Sequence, residues 1–381
     1  MMIGHISDTH LGAFIGRDEE LREVAEDVNE AFLEAINLFA REHVDVVIHS
    51  GDVVDEPRPY GDALKTLLNG VKRLNEKGIP FLYTFGEHDV SPIPSMPYPY
   101  LASLLELAEY VGDGRPHEVK GLTVVGFHKY KKIDREHLVK KLEAVGEQAR
   151  SFGGKKVLVL HQGIKEVFGP GSELSISEIP KGFDYYAMGH IHNRFVTKLG
   201  KGLLAYPGTS HWTEVDDPDD CGVLIVDLSG DEPQAQWVKL ESVRPKARVR
   251  VDAKDLEKAL KELMERESAK KPVLWMEIEG EDIDLKSIEG NLAQKYVIRR
   301  LVLRRKPREG VEFGHEEELN VDAELRRLAL EAIGDEEIVE YALGELLRLL
   351  SEESEDKTEG AKRSLWEFWR KRYRIELGER R

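Results

Sequence analysis

The sequence predicts a layered α/β domain, followed by a small second α/β domain and by C-terminal helices. Three observations lead to this fold class. In the first half, short apolar runs alternate with segments of helical periodicity, a pattern typical of α/β domains. Near Arg244-Pro245 this alternation gives way to a compact strand–helix–strand–helix–strand pattern. Beyond residue 320 only helical periodicity remains.

The elements of the first domain follow one another in chain order. A long helix is predicted at Glu19–Arg41, because apolar residues recur there every three or four positions. Two further helices are predicted at Tyr60–Lys77 and Tyr100–Tyr110. The predicted strands are short runs of buried-type residues, at Met2–Ile6, Val44–His49, Phe81–Phe85, Leu122–Phe127, Lys156–Leu160, Tyr185–Met188, Leu203–Tyr206 and Val223–Asp227.

The second domain is predicted to be a βαβαβ unit. Its elements are Arg248–Val251, Asp255–Glu267, Val273–Ile278, Leu285–Gln294 and Val297–Leu303. The segment Lys306–Gly314 is charged and contains Pro and Gly, which indicates a linker.

Two helical stretches, Ala323–Glu352 and Ala361–Ile375, complete the chain, and their apolar stripes need a covering partner. The expected segments are a first domain at 1–243, a second domain at 244–308, a linker at 309–320 and a helical region at 321–381.

Composition indicates a globular chain without disulfides or membrane spans. Hydrophobic residues make up 41% of the 381, and Cys221 is the single cysteine, which suits a reducing interior. No apolar run approaches the roughly 20 residues that a membrane helix needs. No cleavable N-terminal signal is recognised either. We therefore expect a cytoplasmic protein with no membrane partner.

The net charge of −17 argues, taken alone, against nucleic acid as a partner. Basic clusters at 244–250, 299–308 and 362–374 weaken that objection. Such clusters are often only solvated faces. Charge therefore leaves both readings open.

Five short groups of acidic residues and histidines lie in the first domain, and all but the third directly follow a predicted strand. They are Asp8-Thr9-His10, Gly51-Asp52, Gly86-Glu87-His88-Asp89, His161-Gln162 and Gly189-His190-Ile191-His192. Ligands of α/β sheets gather at the carboxyl ends of the strands. Carboxylates and imidazoles collected at such an edge can hold two divalent cations that activate water for attack on a phosphate ester.

The spacing within these groups suits metal binding. Asp8 and His10 stand two residues apart, so in an extended segment both side chains point the same way. His190 and His192 repeat this spacing. Asp52 follows a glycine, and its two oxygens could bridge two cations. Mixed carboxylate and imidazole donors favour Mn²⁺, Fe²⁺ or Zn²⁺ over Ca²⁺.

His88 is predicted to have a catalytic role, because an imidazolium near the phosphate could stabilise developing charge or protonate the leaving oxygen. Asp89 beside it is expected to orient the surroundings. The other histidines are expected to be structural or on the surface: His5, His43, His49, His117, His128, His137, His211 and His315.

Together the five groups resemble the calcineurin-like metallophosphoesterase superfamily. More narrowly, the chain resembles the archaeal, SbcD-like MRE-eleven (meiotic recombination eleven, Mre11) family of DNA double-strand-break repair nucleases. The narrower resemblance is carried by Asp8-Thr9-His10-Leu11-Gly12, Leu160-His161-Gln162-Gly163, Tyr185–His192 and Tyr206-Pro207-Gly208-Thr209. It implies a phosphoesterase domain, a DNA-capping domain and terminal helices over the whole chain.

The resemblance also implies the roles of the site residues. Asp8, His10, Asp52 and His192 would hold one Mn²⁺, with Mg²⁺, Fe²⁺ or Zn²⁺ as other candidates. Asp52, Glu87, His161 and His190 would hold the second cation, and His88 would act on the phosphate. The implied activity is that of a 3′→5′ exonuclease and single-strand endonuclease on DNA ends.

Two protein partners are implied in the same way. Family members dimerise through helices that correspond here to residues near 60–77 and 100–110, where Leu64, Leu67, Leu68 and Val71 would meet Leu101, Leu104 and Leu105. An ordinary core is the alternative for these leucines. The C-terminal helices would dock on an SMC-like, coiled-coil ABC-type ATPase, with Trp366, Phe368 and Trp369 as further contacts. A self-packed helical hairpin is the alternative there.

Glu87 is the one departure from the pattern, because the family usually has Asn at this position. A charged carboxylate in place of a neutral amide is expected to bind cations more tightly and to attract phosphate less. The sequence leaves two alternative functions open. One is a DNA-end tether with weak or no nuclease activity, and the other is a phosphodiesterase of small nucleotides.

Overall fold

The computed structural model describes residues 1–15, 21–281, 283–304, 325–330, 334–348, 364–365, 367–368, 370 and 372. The chain divides into two compact units, Met1–Lys306 and Pro307–Arg381. Within these described ranges, no helix is both long and apolar enough to cross a membrane.

The first unit contains two six-stranded sheets. One has the strand order β12-β11-β1-β2-β3-β4 and the other β5-β6-β7-β8-β10-β9. The strands of the first sheet are β1 (Met2–Ile6), β2 (Val46–His49), β3 (Phe81–Tyr83), β4 (Glu109–Tyr110), β11 (Gly222–Asp227) and β12 (Gln234–Lys239). Those of the second are β5 (Asp113–Val119), β6 (Leu122–Phe127), β7 (Lys155–His161), β8 (Tyr185–Gly189), β9 (Phe195–Leu199) and β10 (Gly202–Tyr206).

The two sheets share a buried apolar layer to which both contribute side chains. It contains Ile3 and Ile48 from the first sheet and Val124, Val159 and Tyr185 from the second. Strands β1 to β4 run parallel to one another, as do β6, β7, β8 and β10. The parallel strands therefore bring their carboxyl ends, and the polar groups that follow them, to common edges.

Helices cover the outer faces of both sheets. The first sheet is covered by α1 (Arg22–Arg41) and α2 (Gly61–Asn75), and the second by α4 (Arg135–Gln148). The short helices α3 (Leu101–Leu104) and α5 (Lys165–Phe168) lie in connections. The result is an α/β/β/α layering, which confirms the predicted class.

One predicted helix is wrong over most of its length. Helix α3 ends at Leu104, whereas the sequence predicted a helix over Tyr100–Tyr110. Glu106 has a φ of 57°, which a right-handed helix excludes, and the N–H groups of Leu107 and Ala108 both turn back to the carbonyl of Ala102. The chain then pairs with β3 as strand β4.

Besides strand β4, which replaces the end of the false helix, and the four-residue helix α5, four elements were not predicted, namely α4, β5, β9 and β12. Helix α4 does carry the helical signal, with Leu138, Leu142 and Val145 buried on one face. The three strands alternate exposed and half-buried residues and lie at sheet edges, where strands lack a continuous apolar run.

The predicted βαβαβ unit is confirmed. It forms a parallel three-stranded sheet of β13 (Lys246–Asp252), β14 (Val273–Glu279) and β15 (Val297–Arg304), joined by α6 (Leu256–Glu265) and α7 (Leu285–Leu292). Trp212, Leu21 and Val24 pack with Val273 and Val297, so this sheet shares a core with the preceding part of the chain. The domain boundary at residues 243/244 stays a prediction.

Arg244 has a structural role at the start of this unit. Its guanidinium is buried, forms an ion pair with the carboxylate of Asp27 and donates to the carbonyl of Lys271 at 3.0 Å. Although it belongs to the basic cluster 244–250, Arg244 is therefore not available to a nucleic acid.

The described residues of the second unit are helical except Gly334 and Asp335, which precede a helix. Helix α8 (Glu336–Tyr341) continues into a π-helical turn at Ala342–Leu346. Leu325, Leu328 and Leu347 are exposed, as expected for an uncovered apolar stripe. The predicted linker at 309–320, Trp366, Trp369 and His315 lie outside the described residues.

Replacing Gly70 by Ala should destabilise the first unit. A Cβ at Gly70 would lie 2.5 Å from Cε1 of Phe32 and 3.3 Å from Cγ1 of Ile36, between α2 and α1. Phe32 is fully buried and cannot move aside. The clash should cost about 1–3 kcal/mol, more than the gain in helix propensity of up to about 1 kcal/mol.

Gly61→Ala is the matched control, because a Cβ at Gly61 of the same helix meets nothing within 4 Å. Thermal unfolding of the three proteins should show a lowered midpoint for Gly70→Ala only. Equal midpoints for the two variants would contradict this packing.

Candidate metal centre

Four of the seven predicted ligands have a left-handed backbone conformation. The φ angles are 51° for Asp8, 44° for His10, 53° for Asp52 and 87° for His190. Non-glycine residues rarely adopt such angles, which cost about 1–3 kcal/mol each. These turns at the strand ends must therefore be fixed by their surroundings.

Hydrogen bonds between the strand-end loops fix them. The N–H of Asp8 donates to the carbonyl of Gly51 at 3.0 Å, and the N–H of His10 donates to the carbonyl of Asp52 at 3.1 Å. The N–H of His190 donates to Oδ1 of Asp8 at 3.1 Å. The loop after β8 in one sheet is thus tied to the loop after β1 in the other.

Glycines allow the close approach of these loops. A Cβ at Gly86 would lie 2.1 Å from Oδ1 of Asp52, and one at Gly51 would lie 2.3 Å from Nδ1 of His161. A Cβ at Gly189 would lie 2.3 Å from a neighbouring carbonyl oxygen. Side chains at these positions would push the ligand groups apart.

Asp8, His10 and His192 form one group of candidate ligands, with ligand atoms within 4.8 Å of one another. The Nε2 atoms of His10 and His192 face each other at 3.2 Å. Six of the seven predicted ligands lie in this group or in the neighbouring one.

The neighbouring group contains Glu87, His161 and His190. Oε2 of Glu87 lies 3.0 Å from Nε2 of His161, and Oε1 lies 2.9 Å from Nδ1 of His190. Asp52 stands between the two groups, because its Oδ2 is 3.1 Å from Nε2 of His161 and 4.0 Å from Nε2 of His10. That is the position a bridging carboxylate needs.

The hydrogen bonds of the imidazoles show that the two groups fit divalent cations. Nδ1 of His161 lies 2.7 Å from the carbonyl oxygen of Ser50, which can only accept, so Nδ1 carries the proton. Nδ1 of His192 lies 2.7 Å from Oδ1 of Asp217, which likewise assigns the proton to Nδ1. In the neutral imidazoles, the Nε2 lone pair of His161 therefore points at the carboxylates of Asp52 and Glu87, and that of His192 points at Nε2 of His10. A cation bound in each group would be attracted by these lone pairs and carboxylates and would offset the repulsion between them.

Protons can relieve the same repulsion. Burial alone lowers the pKa of His10, but the contact with Asp55 and the charges of Asp52 and Asp8 outweigh it and raise the pKa to about 9. Burial also disfavours charge on His161, yet Asp52 and Glu87 hold its pKa well above the ordinary value. The excess of negative charge thus draws positive charge into the centre.

Two carboxylates that stand behind histidine ligands were missed by sequence reasoning. Asp217 holds Nδ1 of His192, and Oδ1 of Asp55 lies 3.4 Å from Nδ1 of His10. Such carboxylates orient the ring and increase its basicity toward a metal. The acidic run 216–220 gives no sign of which member turns inward.

Lys129 and Glu173 were also missed; Lys129 lies beside Glu87, and Glu173 lies beside Lys129 and His190. The Nζ of Lys129 lies 2.9 Å from Oε1 of Glu173 and 3.8 Å from Oε1 of Glu87. Burial raises the pKa of Glu87, but its hydrogen bonds to His161 and His190 outweigh burial and lower it. Glu87 is therefore a charged group that reaches the second ligand group and has a neighbouring cation.

His88 lies at the exposed rim of the site. Its N–H donates to Oδ1 of Asp52 at 2.9 Å, and its Nδ1 lies 2.8 Å from the carbonyl oxygen of Asp55. The imidazole ring is 4.8 Å from the ring of His10, centroid to centroid. His88 can thus face a substrate from beside the first ligand group.

Asp89 has a structural role beneath His88. Its buried carboxylate accepts hydrogen bonds from the N–H groups of Val53 at 2.9 Å, Val54 at 3.0 Å and Gly86 at 2.8 Å. These bonds join the loops after β2 and β3, which carry Asp52 and Glu87.

Three of the histidines expected to be structural are fully buried, and burial lowers the pKa of each: His5, His49 and His211. Burial lowers the pKa of His5 and of His49 to about 3. His5 bridges the hydroxyls of Tyr185 at 2.7 Å and Ser50 at 2.9 Å. His211 lies deep beside Trp212, against its backbone carbonyl.

Comparison with known proteins agrees with this geometry. A family model described as calcineurin-like phosphoesterase matches residues 1–194. The DNA double-strand break repair protein Mre11 of Saccharolobus solfataricus is 31% identical over 296 residues, which cover 74% of this chain and 76% of that protein. Mre11 of Thermoplasma acidophilum is 29% identical over 364 residues, 89% of this chain and 92% of that protein.

Mre11 of Methanocaldococcus jannaschii is 30% identical over 289 residues, 74% of this chain and 77% of that protein. The resemblance predicted from the five polar groups is thus confirmed. The chain belongs to the calcineurin-like phosphoesterase family and, within it, to the Mre11 family of metal-dependent nucleases.

Proposed function

We propose that this chain is a Mn²⁺-dependent nuclease that processes DNA ends in double-strand break repair. The observation that carries the proposal is the convergence of imidazole lone pairs and carboxylates on two adjacent positions. Family membership implies a centre for two divalent cations. The relatives named above are DNA double-strand break repair proteins, which makes DNA the proposed substrate.

The proposed ligand sets follow the two groups of side chains. Asp8, His10 and His192, with Asp52, would hold the first cation. Glu87, His161 and His190, again with Asp52, would hold the second. When bound, the two cations would activate a water molecule and neutralise the phosphate under attack.

Mn²⁺ is the proposed metal because the donors are carboxylate oxygens and imidazole nitrogens, with no thiolate. The same donors also accept Fe²⁺ and Zn²⁺, and Mg²⁺ through the carboxylates. A Ca²⁺ site would instead be built from oxygen ligands alone.

His88 is the proposed catalytic residue. Because Nδ1 of its ring is engaged with the Asp55 carbonyl, Nε2 is the atom that can meet a phosphate at the rim. In the protonated ring, Nε2–H would stabilise the developing negative charge or give its proton to the leaving oxygen.

The outward face of the β13–β15 sheet supports DNA rather than a small nucleotide. It presents Arg248, Arg250, Arg300 and Arg304, which stand on the same side of the sheet by register. Each of the four forms an ion pair: Arg248 with Asp216, Arg250 with Glu279, and both Arg300 and Arg304 with Glu277. Four guanidinium groups thus face three partner carboxylates. A basic surface of this kind suits a phosphate backbone. Residues 244–308 would then cap the DNA.

The proposed assembly is a homodimer. Leu104 and Leu105 are 58% and 57% exposed, and Ile93 and Met96 of the preceding loop are exposed as well. An apolar surface of neighbouring exposed side chains marks a protein contact. Leu67 and Val71 are instead buried in the core, so from α2 the contact would use Leu64 and Leu68.

A coiled-coil ATPase of the SMC-like class is the second proposed partner, bound through residues 321–381. Its contact would cover the exposed leucines of the second unit, Leu325, Leu328, Leu330, Leu347 and Leu365.

Adding Mn²⁺ should raise the thermal midpoint of the metal-free protein, because the cation binds only the folded centre. A free Mn²⁺ concentration of 100 times the dissociation constant raises the free energy of unfolding by about 2.7 kcal/mol per site. Asp52→Ala should abolish most of the shift. The proposed centre is refuted if the chelator-treated wild type gains no stability from Mn²⁺.

His88→Gln should lower nuclease activity about 10²–10⁴-fold, the usual contribution of a positioned acid. The assay uses end-labelled double- and single-stranded DNA with Mn²⁺, and the Mn²⁺-induced rise in thermal midpoint verifies that the variant still binds metal. The product lengths obtained from DNA that is labelled at a single end give the direction of digestion.

Three results of this assay would redirect the proposal. Tight DNA binding without cleavage by the wild type would favour a DNA-end tether. Cleavage of small cyclic or dinucleotide esters but not of DNA would favour a nucleotide phosphodiesterase. Equal rates for His88→Gln and wild type would remove the catalytic role of His88.

Glu87→Asn should weaken Mn²⁺ affinity while strengthening the attraction of phosphate, because one negative charge leaves the centre. Glu87→Gln, which keeps the length and removes the charge, is the matched control. Calorimetric Mn²⁺ titration and the KM for DNA would be measured for both. Unchanged affinity and KM in both variants would refute a charge effect at position 87.

A further inference from the structure

Lys246 buries a positive charge beside a loop that supports the centre. Its side chain is 1% exposed. The Nζ donates to the carbonyl oxygens of Glu214 at 3.3 Å, Val215 at 3.2 Å and Asp217. Three N–H donors thus find three backbone acceptors, and the ammonium also lies 5.5 Å from the ring centroid of Trp212.

The loop held in this way carries Asp217. Oδ2 of Asp217 accepts hydrogen bonds from the N–H groups of Thr213 at 2.7 Å and Glu214 at 2.8 Å. Oδ1 is thereby left to hold Nδ1 of His192 at 2.7 Å. The orientation of the His192 ring therefore depends on the conformation of residues 213–217.

The backbone of Lys246 is held in place by the three-stranded sheet. It is the first residue of β13 and pairs with Val273 of β14. Just before it, the carbonyl of Arg244 accepts a hydrogen bond from Nε1 of Trp212 at 2.6 Å. A firmly placed strand thus supports the loop from outside the two large sheets.

We propose that Lys246 is a positioning residue for the metal centre: through the carbonyls of residues 214, 215 and 217 it holds Asp217, which sets the ring of His192. This rests on the proposed metal centre. The three-stranded sheet is then connected to His192 through Lys246 and this loop, beside the more exposed ion pair of Arg248 with Asp216. A displacement of the sheet would reach His192 along this path.

Burying an ammonium is costly unless its hydrogen bonds are made. The carboxylate of Asp219 lies 3.8 Å from Nζ of Lys246, and its side chain is 81% exposed. The three loop carbonyls are therefore the main partners of the ammonium. An apolar side chain would fill the same space without gripping them. In the simpler alternative, Lys246 only stabilises the loop and does not affect the orientation of His192. The experiments below separate this alternative from the proposal.

Lys246→Met should weaken Mn²⁺ binding by about tenfold, the low end of the effect of losing a group that orients a ligand. The measurement is calorimetric titration of the chelator-treated full chain with Mn²⁺. Lys271→Met is the matched control, because Lys271 lies just before β14 and its Nζ donates to the carbonyl of Ala293 at 3.2 Å, away from the loop. It should bind Mn²⁺ like the wild type.

A double-mutant comparison tests whether Lys246 acts through Asp217. If it does, Lys246→Met combined with Asp217→Asn should bind Mn²⁺ no more weakly than Asp217→Asn alone. Independent, additive losses would overturn the proposal. So would an unchanged affinity of Lys246→Met.

Nitrogen-15 spectra of histidine-labelled, metal-free protein provide a readout that loss of stability alone would not move. Wild type should show His192 with its proton on Nδ1, and Lys246→Met should show a mixture of tautomers. An unchanged His192 signal in a folded Lys246→Met would overturn the proposal. Absence of Mn²⁺ binding by the wild type would instead refute the metal centre itself.

Discussion

The first unit is organised around the repulsion between acceptors gathered at one point. Carboxylates and imidazole nitrogens face one another at 2.9–4.0 Å, with Nε2 of His10 and Nε2 of His192 only 3.2 Å apart. Only positive charge makes such an arrangement stable. The left-handed turns at Asp8 and Asp52, and the glycines beside the ligands, are the structural cost of holding it together.

The two sheets divide the work of holding the centre. The loops after β1, β2 and β3 of the first sheet and those after β7 and β8 of the second carry the proposed ligands: Asp8, His10, Asp52 and Glu87 in the first set, and His161, His190 and His192 in the second. The hydrogen bond from His190 to Asp8 joins the two sets directly. Beneath them, His5 and His49 remain neutral because burial suppresses their charge, so they add hydrogen bonds without competing for the cations.

Much of this architecture could be predicted from the sequence, because its signals are local. Strand ends, glycines and the D-x-H and H-x-H spacings are readable in short windows, and the seven predicted ligands do come together. Asp217, Asp55, Glu173 and Lys129 could not be found in this way. Each acts through a contact between distant segments, and no periodicity marks it. The false helix at 100–110 failed for a similar reason, because pairing with β3 overrode the local preference.

The raised pKa of His10 has a consequence for how the centre is filled. A site that attracts positive charge holds protons when metal is scarce, and each arriving cation must displace them. Uptake of a cation by the proposed centre would therefore release protons from the histidines that bind it. Its loading would then follow the acidity of the surroundings as well as the supply of metal.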